Sequence, residues 1–178
     1  MYDQRNFILE NDDVHSVIHD MFHRVISDVA ASNVDPESRA REVDVNGLQE
    51  SLDQLGFKDL VDVSDLKGKS AEDVTEAAFE RAWKVYDDRI APVKERILPL
   101  EKQVSLNLFD RAWSNHIDIM SKLRDGIGLR SYAQNNPLQA YVQEGYELFE
   151  EMMQTISREI VAFCMNIRVA RAEDNKEE

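Results

Sequence analysis

His15, His19 and His23 stand four residues apart, a spacing that lines one face of a helix and that metal-binding imidazoles can use. Along a straight helix the three span about 12 Å, so only neighbouring pairs could share an ion. No further ligand is identifiable elsewhere, and the triad reads as a solvated polar helix face with no metal. His116 and Asp118 invite a reading as an acid–base pair. Two residues apart, however, they point to different sides of a helix, and His116 reads as a packing or hydrogen-bonding residue. The single cysteine, Cys164, lies among Val161, Phe163 and Met165. It reads as a buried structural thiol, because a nucleophilic cysteine needs an exposed, electropositive setting. The one Gly-x-Gly, Gly126 and Gly128, lacks the strand–turn–helix context of a nucleotide fingerprint, and no GxxxxGK[ST] loop is present. No catalytic residue, metal ligand or cofactor emerges from these residues.

Tyr132 asks a different question. Its neighbours include Asn, Gln and Ala, where core demand is weak. An aromatic with a polar handle there suits contact with varied chains, giving apolar area at low entropy cost. A tyrosine packing its own loop is the plainer alternative.

The elements that must position these residues are helical. Apolar residues recur at helical spacing from Phe7 and Ile8 through Val14, Val17, Ile18, Met21, Phe22, Val25, Ile26 and Val29. The polar run 31–42, with Asn33, Asp35, Pro36 and Ser38, closes that helix as a linker. Residues 43–66 suggest two small helices broken by Gly56 and Gly68. Ser70 with Asp73 is a capping signal for a helix carrying Val74, Phe79, Trp83 and Tyr86. Pro92 and Pro99 each suit the first turn of a new helix better than its interior.

Two long arms follow. One presents Leu106, Phe109, Trp113, Ile117, Met120 and Leu123; the other presents Leu138, Val142, Gly145, Phe149, Met152, Ile156, Ile160, Phe163 and Ile167. Residues 126–137 between them supply the breakers of a turn. The class is all-α: a long helical hairpin, a scaffold helix and a small helical domain. The tail 173–178 holds four acidic residues against one lysine and is expected to be disordered.

The 178 residues carry a formal charge of −14. That balance argues against nonspecific nucleic-acid binding and against docking on anionic lipid, both of which need a basic face. Residues 106–143 depart from it, with four basic and three acidic side chains, so the hairpin end is nearly neutral. One cysteine allows no internal disulfide and fits a reducing, cytoplasmic setting. No run of about 20 apolar residues spans a bilayer.

The hairpin resembles the two-helix finger of SecA, the motor ATPase of bacterial protein export. The resemblance rests on Asp110, Trp113, His116-Ile117-Asp118, Met120, Leu123-Arg124, Gly126-Ile127, Leu129-Arg130, Tyr132-Ala133-Gln134, Pro137-Leu138, Tyr141, Glu144-Gly145 and Phe149. More weakly, residues 1–31 resemble the end of that family's long scaffold helix, residues 32–100 its helical wing domain, and residues 101–172 the scaffold's finger. Gly128 departs from the pattern, standing where the family's tip motif has histidine and adding backbone freedom.

The resemblance implies a C-terminal piece of such a motor. Its two nucleotide-binding domains, its preprotein-crosslinking domain, and the ATP and magnesium they use would lie outside this chain. It implies that Tyr132, Arg130, Leu129 and Ile127 form a tip contacting the translocating preprotein and the SecY channel, and that the scaffold restrains ATP hydrolysis. Trp113, His116 and Arg124 are expected to face the motor domains. The parent would be cytoplasmic and peripherally membrane-associated. A free-standing helical adaptor, its stripes with Met120, Met152 and Met153 binding partner helices, is the alternative reading. Stripes that absent motor domains would cover are expected to pair between copies of the chain.

Overall fold

In a computed structural model the structure describes residues 13–39, 41–58, 63–130 and 136–168, the side chains of Val63 and Arg130 excepted. The expected helix positions Phe7 and Ile8, the tip residue Tyr132 and the acidic tail lie outside the described residues. The described elements are helical: α1 (Val14–Ser32), α2 (Val45–Gln54), α3 (Val63–Leu66), α4 (Ala71–Ile90), α5 (Lys94–Arg130) and α6 (Pro137–Asn166), with a 3-10 turn Ala91–Val93 between α4 and α5. Among the described residues no strand forms, only two isolated bridges, Val34 with Val43 and Glu42 with Ser70. The all-α expectation holds.

Local chemistry sets the helix starts. The Asp13 carboxylate accepts the Ser16 N–H at the head of α1, Asp44 accepts from Asn46 at α2, and Ser70 Oγ accepts from Asp73 at α4. Each satisfies an amide that has no partner inside its helix. Gly56, just past α2, has φ +96°, a conformation that L side chains rarely adopt, and the linker needs it there to reverse direction.

Two expectations about breakers are corrected. Pro99 lies inside α5. It is the sixth residue of the helix, so the ring costs the single bond that its missing N–H would have given to the Glu95 carbonyl. Gly126 and Gly128 do not open the turn either: α5 continues through both to Arg130. Ile127 between them is buried, and its packing outweighs the roughly 1 kcal/mol that each glycine costs a helix interior.

The core is one cluster in which α1 lies between α4 and α6. Phe22 is fully buried at its centre. Its ring meets Trp83 at 5.2 Å, Tyr86 at 5.4 Å and Phe57 at 6.0 Å. The edge-to-face approaches to Trp83 and Phe57 use the positive rim of one ring against the negative face of another. At the far end Arg89 donates to the Met165 carbonyl at 2.8 Å, answering one of the open carbonyls of the last turn of α6.

Candidate functional site

The hairpin is formed by α5 and α6. Its arms run antiparallel: Met120 packs on Gly145 and His116 on Phe149, two pairs centred on the same point of the sequence. Towards the base the arms bury Phe109, Met152, Ile156 and Ile160. At Gly145 the arms leave no room for a side chain. A Cβ placed there would stand 2.8 Å from Met120 Cε, the flexible end of a side chain. Gly145→Ala should therefore be tolerated, the methionine end swinging aside while helix propensity improves by about 1 kcal/mol. Gly145→Leu should force the arms apart and destabilise the chain by about 1–3 kcal/mol, as overpacking does. Urea denaturation of both variants checks this; equal stability of the leucine variant and the parent would show that the arms do not depend on this contact.

His116 is buried and not solvated. Its ring stacks on Trp113 at 5.6 Å and meets Phe149 edge-on at 6.0 Å. Desolvation holds its pKa below the ordinary histidine value, so it is neutral at neutral pH. The packing role expected of it is present, and Asp118 points elsewhere as an exposed residue. Ile117, expected on the inner face, is 52% exposed. Helical geometry explains the exchange, because His116 lies one position nearer the axis through Phe109, Met120 and Ile127. Periodicity favoured the apolar neighbour over the polar residue that takes the place.

At the outer end Ile127 is buried and Leu129 is 78% exposed. Arg124 is exposed, and Trp113 is half-buried with contacts along the arm. The Asn136 side chain accepts the Gln139 N–H and Pro137 fills the first position of α6. Leu138 and Val142, expected to pack inward, are 70% and 61% exposed. Leu138 shares a helical stripe with Ile156, five turns on. Its exposure therefore reflects where it lies along the arm, near the open end, and not the face it occupies. With Tyr146 and Leu129 these side chains leave the hairpin's end apolar on the outside. Along one side of the arms runs a groove of about 490 Å³, whose lining includes Arg111, Asn115, His116, Glu151 and Glu159.

A second cluster was not anticipated. Glu101 of α5 is buried, and both its oxygens lie 3.1 Å from His15 Nδ1. The Tyr86 hydroxyl donates to the same carboxylate. The Cys164 thiol lies beside it, its pKa pushed up to about 12 by burial. Burial also raises the Tyr86 hydroxyl far above the ordinary phenol range. Neither group is a nucleophile at neutral pH, as expected for Cys164. Glu101 was legible in principle, since it lies four residues before buried Ser105 and eight before Phe109 on the inward stripe of α5.

The histidine triad is likewise corrected. Only His15 leaves the solvated face, packing near Trp83 and Tyr86. His19 and His23 remain 42% exposed while their rings also meet Phe79, His19 that of Trp83 too, and His23 bonds Glu76 at 2.7 Å. The aromatic stripe of α4 needed a partner, and imidazoles supply flat rings that still reach acidic groups at their edges. Among the described residues no group of three or more His, Cys, Asp or Glu could hold a metal ion.

A family model described as the SecA Wing and Scaffold domain matches residues 1–168. The chain belongs to this SecA family. The protein translocase subunit SecA of Clostridium botulinum (strain Loch Maree / Type A3) is 33% identical over 178 residues, covering 99% of this chain and 21% of its own length. That of Burkholderia multivorans is 34% identical over 183 residues, covering 99% and 19%. The SecA subunit of Halothermothrix orenii gives 34% over 176 residues, covering 98% and 21%. The chain thus spans about a fifth of the length of the curated SecA relatives it matches. Among the described residues no helix is long and apolar enough to cross a membrane.

Proposed function

We propose that this chain is the non-catalytic wing and scaffold part of a protein translocase, carrying motion produced in nucleotide-binding domains elsewhere to a preprotein in the SecY channel. The observation that supports this reading is the antiparallel hairpin itself. It couples a buried base of Phe109, Ile156 and Ile160 to an outer end bearing exposed Leu129, Leu138, Val142 and Tyr146. A stiff pair of helices transmits displacement without chemistry of its own, and exposed apolar groups at its end take hold of chains of any sequence through non-directional burial.

In this reading Tyr132, Arg130, Leu129 and Ile127 are the tip residues, with buried Ile127 supporting exposed Leu129. Trp113, His116 and Arg124 lie on the side turned to the motor domains, where the groove beside His116 gives such a domain a surface to seat on. Contact there restrains ATP hydrolysis. ATP and magnesium belong to the parent protein, which works in the cytoplasm and associates peripherally with the membrane. Nucleic acid is not a partner of so acidic a chain.

The test is Tyr132→Ala in a full-length translocase carrying this segment. Preprotein transport into vesicles is expected to fall at least several-fold while basal ATP hydrolysis stays near the parent rate. Transport equal to the parent's would remove the tip from the mechanism.

A further inference from the structure

The end of α4 and the start of α5 are separated only by the 3-10 turn Ala91–Val93, and one side chain of α1 faces both sides of that break. His15 Nδ1 lies 3.1 Å from both oxygens of Glu101 on α5, while its Nε2 lies 3.4 Å from Asp87 Oδ1 on α4. We propose that His15 is a proton-controlled clip: as an imidazolium it bridges Asp87 and Glu101, fixing the angle between the wing-bearing helix and the finger helix, and on losing its proton it releases that angle.

The geometry carries this. Glu101 has no exposed side-chain surface, and a buried carboxylate needs a positive partner. His15 Nε2 is itself buried and has no hydrogen-bond partner; at 3.4 Å Asp87 is near enough for a charge pair but forms no hydrogen bond. A neutral imidazole that gave its one proton from Nδ1 to Glu101 would turn the bare Nε2 lone pair on the Asp87 carboxylate. With both nitrogens protonated the two contacts are attractive.

The groups around His15 are Asp87 and Tyr86 from α4, Glu101 and Lys94 from α5, Asp13 at the head of its own helix and His19 one turn along it, with Cys164 of α6 behind Tyr86. Asp87, Glu101 and Asp13 outnumber the single cation Lys94. The Glu101 hydrogen bond is the chief reason that the His15 pKa lies above its ordinary value, against the opposing pull of burial. A raised histidine pKa stabilises the folded contact fully below about 6.5 and loses that contribution as pH rises through the folded value. The clip therefore closes in mild acid and opens in base.

The test uses the full 178-residue chain, spin-labelled at Glu80→Cys on α4 and Lys122→Cys on α5, both exposed sites, with buried Cys164 left in place. Pulsed dipolar spectroscopy is expected to give one narrow distance distribution at pH 6 that is lost at pH 9. Nitrogen-15 spectra of the ring should show both His15 nitrogens protonated at pH 6. His15→Gln should give the broad distribution at either pH. Asp87 is half-exposed, so Asp87→Asn leaves the core closed and carries the comparison should His15→Gln fail to fold; it should move the loss to lower pH. Glu76→Gln, which removes the exposed partner of His23, should change nothing. A singly protonated His15 ring at pH 6, or a distribution indifferent to pH and to both His15→Gln and Asp87→Asn, overturns the proposal.

Discussion

Replacing Phe22 with alanine should lower the unfolding free energy by about 3–5 kcal/mol, the range for deleting a large buried ring. Phe22 has no exposed surface and touches rings from two other parts of the fold, Phe57 beyond α2 and Trp83 and Tyr86 on α4. The void left behind cannot collapse easily, because the surrounding rings are rigid and held by two other backbone segments. Aromatic pairing adds about 0.5–1.5 kcal/mol for each well-placed ring pair beyond simple burial. A total near 5–15 kcal/mol is usual for a domain, so this one change should remove a large share of the folding free energy. Phe22→Leu should cost less, retaining much of the apolar volume. Urea denaturation with tryptophan fluorescence reads both, since Trp83 borders the site. An alanine variant within about 1 kcal/mol of the parent would mean that the three segments do not meet as described.

Glu101→Ala should be comparably costly, for a different reason. Removing one member of a buried pair strands the other, at about 3–5 kcal/mol. Two donors lose their acceptor here, the Tyr86 hydroxyl and His15 Nδ1–H. Glu101→Gln should cost less, because the amide oxygen still accepts from Tyr86. In either variant the His15 pKa should drop towards the ordinary value, its largest raising influence having gone. The parent chain should lose stability between about pH 6.5 and the raised His15 value, and this slope should be absent from Glu101→Ala. Denaturation midpoints across that interval measure it. A slope unchanged in the alanine variant would separate the pH dependence from this pair.

The helices were legible because each long one carries a sustained apolar stripe, and the cap of α4 because Ser70 and Asp73 stand at the spacing a cap requires. The positions that went unread are those where tertiary contact overrode local preference. Pro99 sits inside a helix because that helix is held on both sides of it by buried Ile97, Glu101, Ser105 and Phe109. Gly126 and Gly128 stay helical around buried Ile127. His116 displaces Ile117 inward because two aromatic rings from different turns and arms are waiting for it, and no one-dimensional pattern registers a partner 33 residues away. The histidine triad was read from its own helix alone; the stripe Phe79, Trp83, Tyr86 that turns it into an interface lies on another. Glu101 escaped attention because an isolated acid on an inward stripe has meaning only once His15 and Tyr86 are beside it.

The short turn Ala91–Val93 has a mechanical consequence. The helix beyond it has 37 residues, about 55 Å at 1.5 Å per residue, so a pivot of about 10° at its root would sweep the far end through about 10 Å. Angular gain of that kind amplifies random jitter as faithfully as it amplifies signal. Whatever steadies the root therefore sets how sharply the far end can be aimed.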